Sequence, residues 1–578
     1  MQQTYQLPNS LEKEDTPFYC ELVEKIPKFI RQRLALRLAQ SYDKYYTQSG
    51  FKEPHNLGTN LIPKGRRAAN LSHLYKCEQY AKAIDQCPSW FSEFHEMQYF
   101  EIADFAKKLS ESNRFTLGQY ANQKNLGKVF VNELLSGLGL DIKANSHSAF
   151  WLKTTDIPLL RKKLHGNVRR EQEELARRLG EVDRVVADQT RTNHKQHQDA
   201  KDNFLDSYVI ECENESYQMR DVVESFEAGR DAEFYAKIAG LKNLQDMHQH
   251  DAMMLTLTAP SSYHAKIKVL SGYSKSGKPN YIMRKNSKYN NKTVKQAYEY
   301  IQTTHRKVLK FASKKDLRVA GFTAYQPHQD GTPHAHLFVI GDRADLEKLA
   351  EKYEEINLRE GAEDAGAVEH RTDVIYEDTE KGRLATYASR YAARDVSEDA
   401  WYSTHKIQKL NWFGLPPQNA WRELIRAIDA YNKAKETAEN KGWKFNKQIP
   451  EQLTEVWYYA EKGDYANFVI ALCGGYGFPA DLRTRSKGVY KETITKFEEL
   501  GKKFSHIVIN GFALFTHVKK WKITNKKLGK SGVETLVVNY PREQQAVPKA
   551  QTKTQKPRKS ANLYKDFLAD PITKRQAT

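Results

Sequence analysis

Two histidines one residue apart, His334 and His336, and two tyrosines four apart, Tyr387 and Tyr391, are the side chains of this sequence whose types and spacing could do chemistry together. On a strand, residues i and i+2 project from one face, so the two imidazoles would stand side by side on a rigid support. Neutral imidazoles so placed can hold a divalent metal. Gln326 and His328, on the strand before, lie across a turn from them, and either could supply a third ligand. On a helix, residues four apart share a face. Phenol oxygens are nucleophiles able to attack a phosphodiester and keep the DNA end as an ester. Such an attack needs a cation to neutralise the charge that builds on the scissile phosphate. Two phenols on one face would permit two strand transfers in succession, and Arg390 and Arg394 on the same helix could hold phosphates.

Neither spacing is specific alone. The chain has 32 tyrosines, so Tyr-x-x-x-Tyr recurs by chance. Tyr42 and Tyr46 repeat the spacing in a helical region, and His248 and His250 repeat the other at a polar approach to a strand. What gives weight to His334–His336 and Tyr387–Tyr391 is their order along the chain with the elements that must position them. Met254-Leu255-Thr256-Leu257-Thr258 reads as a buried strand. Gly321 to Ile340 reads as strand, turn and strand, with Gln-Asp-Gly-Thr-Pro as the turn. Thr293 to Ala312 is an amphipathic helix, Arg343 to about Tyr353 another, His370 to Ile375 a strand, and Arg383 to about Asp395 the tyrosine helix. Strands and helices alternate irregularly, which predicts an α+β domain with an antiparallel sheet.

The stretches MLTLTAPSSYHA, PHQDGTPHAHLFV, YASRYAARDV and IQKLNWFGLPPQNAWRELIR resemble successive blocks of the phage replication gene A protein family, within the HUH endonuclease superfamily. The resemblance covers roughly residues 150–430. It implies a site-specific single-strand nickase and ligase that initiates rolling-circle replication of a phage or prophage, keeping the 5′ end on a tyrosine and leaving a 3′-OH. It also implies His334 and His336 as metal ligands, Tyr387 and Tyr391 as the nucleophile pair, and Mg²⁺ or Mn²⁺ as the cation. The family usually has Glu where this chain has Gln326, which leaves Gln326 and His328 as competing third ligands. Arg394-Asp395 stands where Lys-Asn is usual. A relaxase or transposase of the same superfamily, or a non-catalytic nucleic-acid-binding protein, are the alternative readings.

Composition agrees with a DNA substrate. The 578 residues carry a formal charge of +19 with a pI near 9.3, which predicts a polyanionic partner. Five cysteines without CxxC spacing argue against a zinc ribbon or disulfide framework and suit a reducing cytoplasm, here that of a bacterial host. Mean hydropathy is −0.75 and no apolar run is long enough for a membrane span. The expected organisation is a helical region over 1–150, a basic helical region over 151–245, the endonuclease domain over 246–430, a mixed α/β region over 431–540, and a basic disordered tail over 541–578. Asp188 to Asp202, with His194 and His197, reads as a polar helix surface or loop. Residues 430 to about 500 read as helical. Gly272 to Pro279 nearly spells a P-loop, but Pro279 stands where the magnesium-binding hydroxyl belongs. That predicts no ATPase, so unwinding falls to a host helicase and extension to a host DNA polymerase. The 271–292 segment reads instead as a lysine-rich loop contacting DNA, with Lys275 and Lys278.

Overall fold

The computed structural model of the chain describes residues 5–47, 65–95, 97, 99–182, 185–212, 215–274, 276–364, 366–377, 396–477, 486–516 and 521–525. Contacts divide the chain into two units that do not follow its linear order. One comprises residues 1–193, 265–287 and 497–499, the other 194–264, 288–496 and 500–578.

The first unit is mainly helical, as its 3.6-residue periodicity predicts. Tyr19, Leu22, Ile30, Leu34 and Phe91 form part of one buried cluster with Phe150 and Leu164. Helix ends follow local chemistry: Asp156 accepts from Leu159 N–H at 2.8 Å and Ser146 from Ala149 N–H at 3.0 Å. The Tyr42 and Tyr46 hydroxyls are spent on structure, donating to Asn70 at 2.8 Å and Glu12 at 2.6 Å. The expected 271–292 loop is largely a β-hairpin, Lys266–Tyr273 paired with Pro279–Lys285. Its alternating β-branched and aromatic residues favour that state. A strand therefore begins at Pro279, where a P-loop would need a helix.

In the second unit, five strands form an antiparallel sheet: β1 Asp251–Thr258, β2 Val319–Pro327, β3 Pro333–Gly341, β4 Thr372–Tyr376 and β5 Leu410–Phe413, in spatial order β4-β1-β3-β2-β5. Five helices matter to its packing: α1 Met219–His248, α2 Val294–Lys314, α3 Arg343–Asn357, α4 Val396–His405 and α5 Gln418–Asn440. The even-numbered residues Met254, Phe322, Phe338 and Ile340 join a cluster with Phe234 and Leu241 of α1 and Trp421 and Leu424 of α5. Strand alternation turns the odd-numbered residues to the other face. There Thr323 meets His305 of α2, which in turn meets Tyr353 of α3. Thr293 and Gln296 form a capping box that starts α2 where the sequence predicts.

Two expectations need correction. Residues 486–494 are not helical but a strand paired with Leu500–Ile509, consistent with the run Val489-Tyr490 and Thr493-Ile494. The stretch Asp188 to Asp202, read as a polar helix surface or loop, lies in the helix Asp188–Ser207, where His194 is buried, its Nδ1 3.2 Å from Ser403 Oγ, while His197 is exposed. α1 ends at His248 through Gln249 in the left-handed region, His248 is exposed, and His250 Nδ1 bonds the Tyr476 hydroxyl. None of the five cysteines forms a disulfide. Among the described residues no helix is long and apolar enough to cross a membrane.

Candidate functional site

The site lies at the β2–β3 hairpin, where the sheet's apolar face gives way to polar side chains. Register sets Gln326 opposite His334, and Ala324 opposite His336. On the other side β1 sets Thr256 opposite His336 and Thr258 opposite His334. Gln326, His334, His336 and Thr256 therefore share a face. The imidazole Nε2 atoms of His334 and His336 approach to 2.8 Å. Neighbouring ligands of one cation stand about 3 Å apart when each bond is about 2.1 Å, so the pair is already near that spacing. Thr256 Oγ1 is 3.1 Å from His336 Nδ1, a contact that steers the Nε2 lone pair inward.

Two further imidazoles extend the cluster. The His328 ring centroid is 4.2 Å from that of His334 and 5.1 Å from that of His264. His264 Nδ1 lies 3.5 Å from an Asp330 carboxylate oxygen. Burial pushes His328 and His336 down to about 4, and His334 well below the ordinary imidazole value, with neighbouring imidazoles adding to the effect on His328 and His334. Neutral rings are the state that can donate a lone pair. His334 Nδ1 and His328 Nε2 are buried and make no hydrogen bond. Buried polar atoms are nearly always paired, so two orphans in one cluster mark a place built for a further ligand.

The turn that carries these rings is tightly specified. His328 N–H donates to Thr332 O at 2.8 Å and Gly331 N–H to His328 O at 2.9 Å. Gly331 has φ +79°, a conformation open to glycine at little cost. The Asp330 carboxylate accepts from Thr332 N–H at 3.0 Å and Thr332 Oγ1–H at 2.9 Å. From α4, the buried Trp401 donates its indole N–H to Gly331 O at 2.8 Å, and the Tyr402 hydroxyl donates to Tyr325 O. So the helix that follows the tyrosine segment is fastened to the histidine hairpin.

A divalent cation fits the pair of Nε2 atoms and the neutral rings. The third donor is less fully assembled: among the described residues no three His, Cys, Asp or Glu side chains converge on a point. His328 therefore does not complete a three-imidazole site as it stands, while Gln326, an amide donor, has the register to do so. Tyr387, Tyr391, Arg390, Arg394 and Lys275 lie outside the described residues, and Lys278 is exposed in the hairpin of the first unit. Sequence reading missed Thr256, His264, Asp330 and Trp401. Thr256 was legible as the strand neighbour of a histidine, and Asp330 as the acceptor that an Asp-Gly-Thr turn requires. His264 and Trp401 come from distant segments and carried no local signal.

Comparison with known proteins bears on the same segment. Residues 143–399 match the family described as Bacteriophage replication gene A protein (GPA). A Salmonella paratyphi A protein named "Probable replication endonuclease from prophage-like region" is 28% identical over 261 residues, 40% of this chain and 31% of that protein. The replication gene A protein of Escherichia phage P2 is 25% identical over 47% of this chain and 36% of its own length. That of Escherichia phage 186 is 23% identical over 55% and 47%. The matched region thus spans roughly a third to a half of these relatives. No solved structure matches the chain. The residues matched to the bacteriophage replication gene A protein family, 143–399, hold the paired imidazoles and four of the five strands of their sheet.

Proposed function

We propose that the chain is a replication endonuclease that nicks one strand of a phage or prophage origin through a tyrosine and so initiates rolling-circle replication. The observation that carries this reading is the 2.8 Å convergence of two neutral imidazole nitrogens on a hairpin of an antiparallel sheet, inside the segment matched to the family.

Tyr387 or Tyr391 supplies the phenol oxygen. Its proton leaves, a P–O bond forms to the scissile phosphate, and the bond from phosphorus to the 3′ oxygen breaks. That oxygen takes up a proton and becomes the 3′-OH that a host polymerase extends, while the 5′ end stays on the tyrosine. The second phenol can then attack a new junction in the same way, and the 3′-OH freed there attacks the first phosphotyrosine, rejoining the strand and releasing the first phenol. A Mg²⁺ or Mn²⁺ ion held by His334, His336 and Gln326, with His328 as the competing third donor, would offset negative charge on the phosphate oxygens. Arg390 and Arg394 hold flanking phosphates. Chain connectivity supports the pairing of tyrosines with the site. Tyr391 precedes Val396 of α4 by five residues, at most about 18 Å of extended chain, and α4 is bonded to the hairpin. Unwinding ahead of the nick falls to a host helicase.

The test is incubation of the full chain with single-stranded origin DNA and Mg²⁺ or Mn²⁺, followed by denaturing electrophoresis and mass spectrometry of the nucleotide-bearing peptide. A covalent adduct on Tyr387 or Tyr391, lost in the Tyr387→Phe, Tyr391→Phe double variant, is the expected result. No adduct with either metal on any tested sequence would leave a DNA-binding protein without this chemistry.

A further inference from the structure

The hairpin Lys266–Tyr273/Pro279–Lys285 belongs to the first unit and has no role in the reaction above. It is a two-stranded sheet on its own, with both faces largely exposed. A lone ribbon is marginal in water, so exposed apolar side chains on it call for a reason. Ile267, Leu270, Tyr273, Tyr281 and Ile282 are all exposed large side chains. Its charge is as one-sided as its exposure. Residues 266–285 hold six Lys and Arg and no Asp or Glu, in a chain with 72 acidic residues among 578.

Register sorts these residues. Lys268 lies opposite Met283 and Leu270 opposite Tyr281 on one face. An irregularity between Leu270 and Gly272, where Gly272 takes φ +145°, adds one residue to the first strand. That returns Tyr273, opposite Pro279, to the face of Tyr281. The Lys268 ammonium sits 4.4 Å from the Tyr281 ring centroid. Two exposed phenol rings with cations interleaved make one stripe near the tip. The base is anchored: Lys266 Nζ donates to Val182 O at 2.9 Å and Lys285 Nζ to Gln79 Oε1 at 3.1 Å. Desolvation and the charge of Lys82 hold the Lys285 ammonium below its ordinary value, so the base too is a place where added negative charge is favourable.

We infer that this hairpin is a single-stranded DNA arm, with Tyr273 and Tyr281 stacking on unpaired bases and Lys268 and Lys278 on the adjoining phosphates. The inference rests on the reading of the substrate as DNA and adds a second contact to it. Exposed aromatic and aliphatic side chains suit base stacking, which every base permits. A ribbon that reads a duplex in its major groove needs polar donors and acceptors, and this stripe has few.

The experiment is fluorescence anisotropy of the full chain, in chelator to prevent cleavage, with a labelled oligothymidylate of about 15 nucleotides and a duplex of equal length. Tyr273→Ala with Tyr281→Ala should weaken oligothymidylate binding by about tenfold or more and duplex binding by no more than about twofold. Tyr273→Phe with Tyr281→Phe should bind as the parent does, since stacking survives and folding is controlled for. Lys268→Gln with Lys278→Gln should reduce the slope of log K against log salt by about 1.4. Equal loss on both probes would make the hairpin a duplex reader, and no loss on either a bare surface; both overturn the inference. Binding read in chelator needs neither the cation nor cleavage. A failure of adduct formation would therefore remove the nuclease reading without touching this one.

Discussion

His305 and His334 lie on opposite faces of one sheet, and burial holds both imidazoles far below their ordinary value. Their surroundings differ in one respect. His305 has a partner at each ring nitrogen, Tyr353 OH at 2.6 Å from Nδ1 and Thr323 Oγ1 at 3.3 Å from Nε2. His334 turns Nε2 to another histidine and leaves Nδ1 buried without a hydrogen bond, beside His328 with its own orphaned Nε2. A satisfied buried imidazole holds two helices and a strand together. An unsatisfied cluster weakens the fold until something binds it. Burial alone therefore does not separate a core histidine from a site histidine; the hydrogen-bond account of both nitrogens does.

The sharpest way to break that contrast is to remove each side in turn. His334→Ala with His336→Ala should lower adduct formation by about a thousandfold or more, because charge on the phosphate loses its counterweight. Its melting temperature without metal should hold or rise, since orphaned polar atoms are removed with the rings. His305→Ala should do the reverse. It leaves the Tyr353 hydroxyl and Thr323 without their partner and opens a cavity, at a cost of about 2–4 kcal/mol. Adduct yield per folded molecule should stay near the parent's. Thermal melts read beside a cleavage gel decide it, and matching behaviour of the two variants would dissolve the distinction.

Acid provides the next test. The His305 imidazole is depressed from 6.5 to about 4 by burial. Between those values the unfolded chain binds the proton and the folded chain does not, so stability is full above about 6.5 and falls as pH drops toward 4. A depression of that size corresponds to about 3 kcal/mol. His305→Asn should flatten the fall by about that amount, seen as the difference in melting temperature between pH 6.5 and pH 4 for parent and variant. An unchanged difference would mean that His305 stays neutral for another reason.

A smaller effect separates the two candidate third donors. Gln326 faces His334 in register, whereas His328 does not converge with the pair as part of a three-imidazole site. Gln326→Ala should weaken the Mn²⁺-induced rise in melting temperature, equivalent to about a tenfold loss of affinity, and Gln326→Glu should strengthen it by adding charge. His328→Ala should change it less. The opposite order would assign the third position to His328.

Much of this arrangement was legible in order along the chain and little of it in depth. The Asp-Gly turn, the alternating strands and the amphipathic pattern from Thr293 are local, so their residues announced the β2–β3 hairpin and α2. The Tyr42–Tyr46 and His248–His250 lookalikes were set aside, and Tyr42, Tyr46 and His250 are hydrogen-bonded within the fold. Residues 271–292, which hold the second strand and tip of the Lys266–Lys285 hairpin, were taken for a loop because glycines and lysines mask a strand pattern that a bulge interrupts at Gly272. The strand at 486–494 was missed because its β-prone pairs, Val489-Tyr490 and Thr493-Ile494, are short and split by Lys491-Glu492, a pattern that an exposed helix also tolerates. The His264–Asp330 and Trp401–Gly331 contacts join residues far apart in sequence, and no local spacing encodes them.

Trp401 offers the finest cut. Its indole is fully buried and donates to Gly331 O, fastening α4 to the turn. Trp401→Phe keeps most of the apolar volume and deletes the donor. The loss of one hydrogen bond with a buried acceptor left behind should cost about 1–3 kcal/mol of stability. If α4 also sets where the preceding tyrosines stand, adduct formation should slow several-fold at saturating metal, because a reacting group displaced by about 1 Å loses much of its advantage. The metal-induced rise in melting temperature should stay as in the parent, since His334, His336 and Gln326 are untouched. A variant less stable but equally fast would reduce α4 to packing. A variant that lost metal affinity as well would show that the turn, and not the tyrosine segment, is what Trp401 holds.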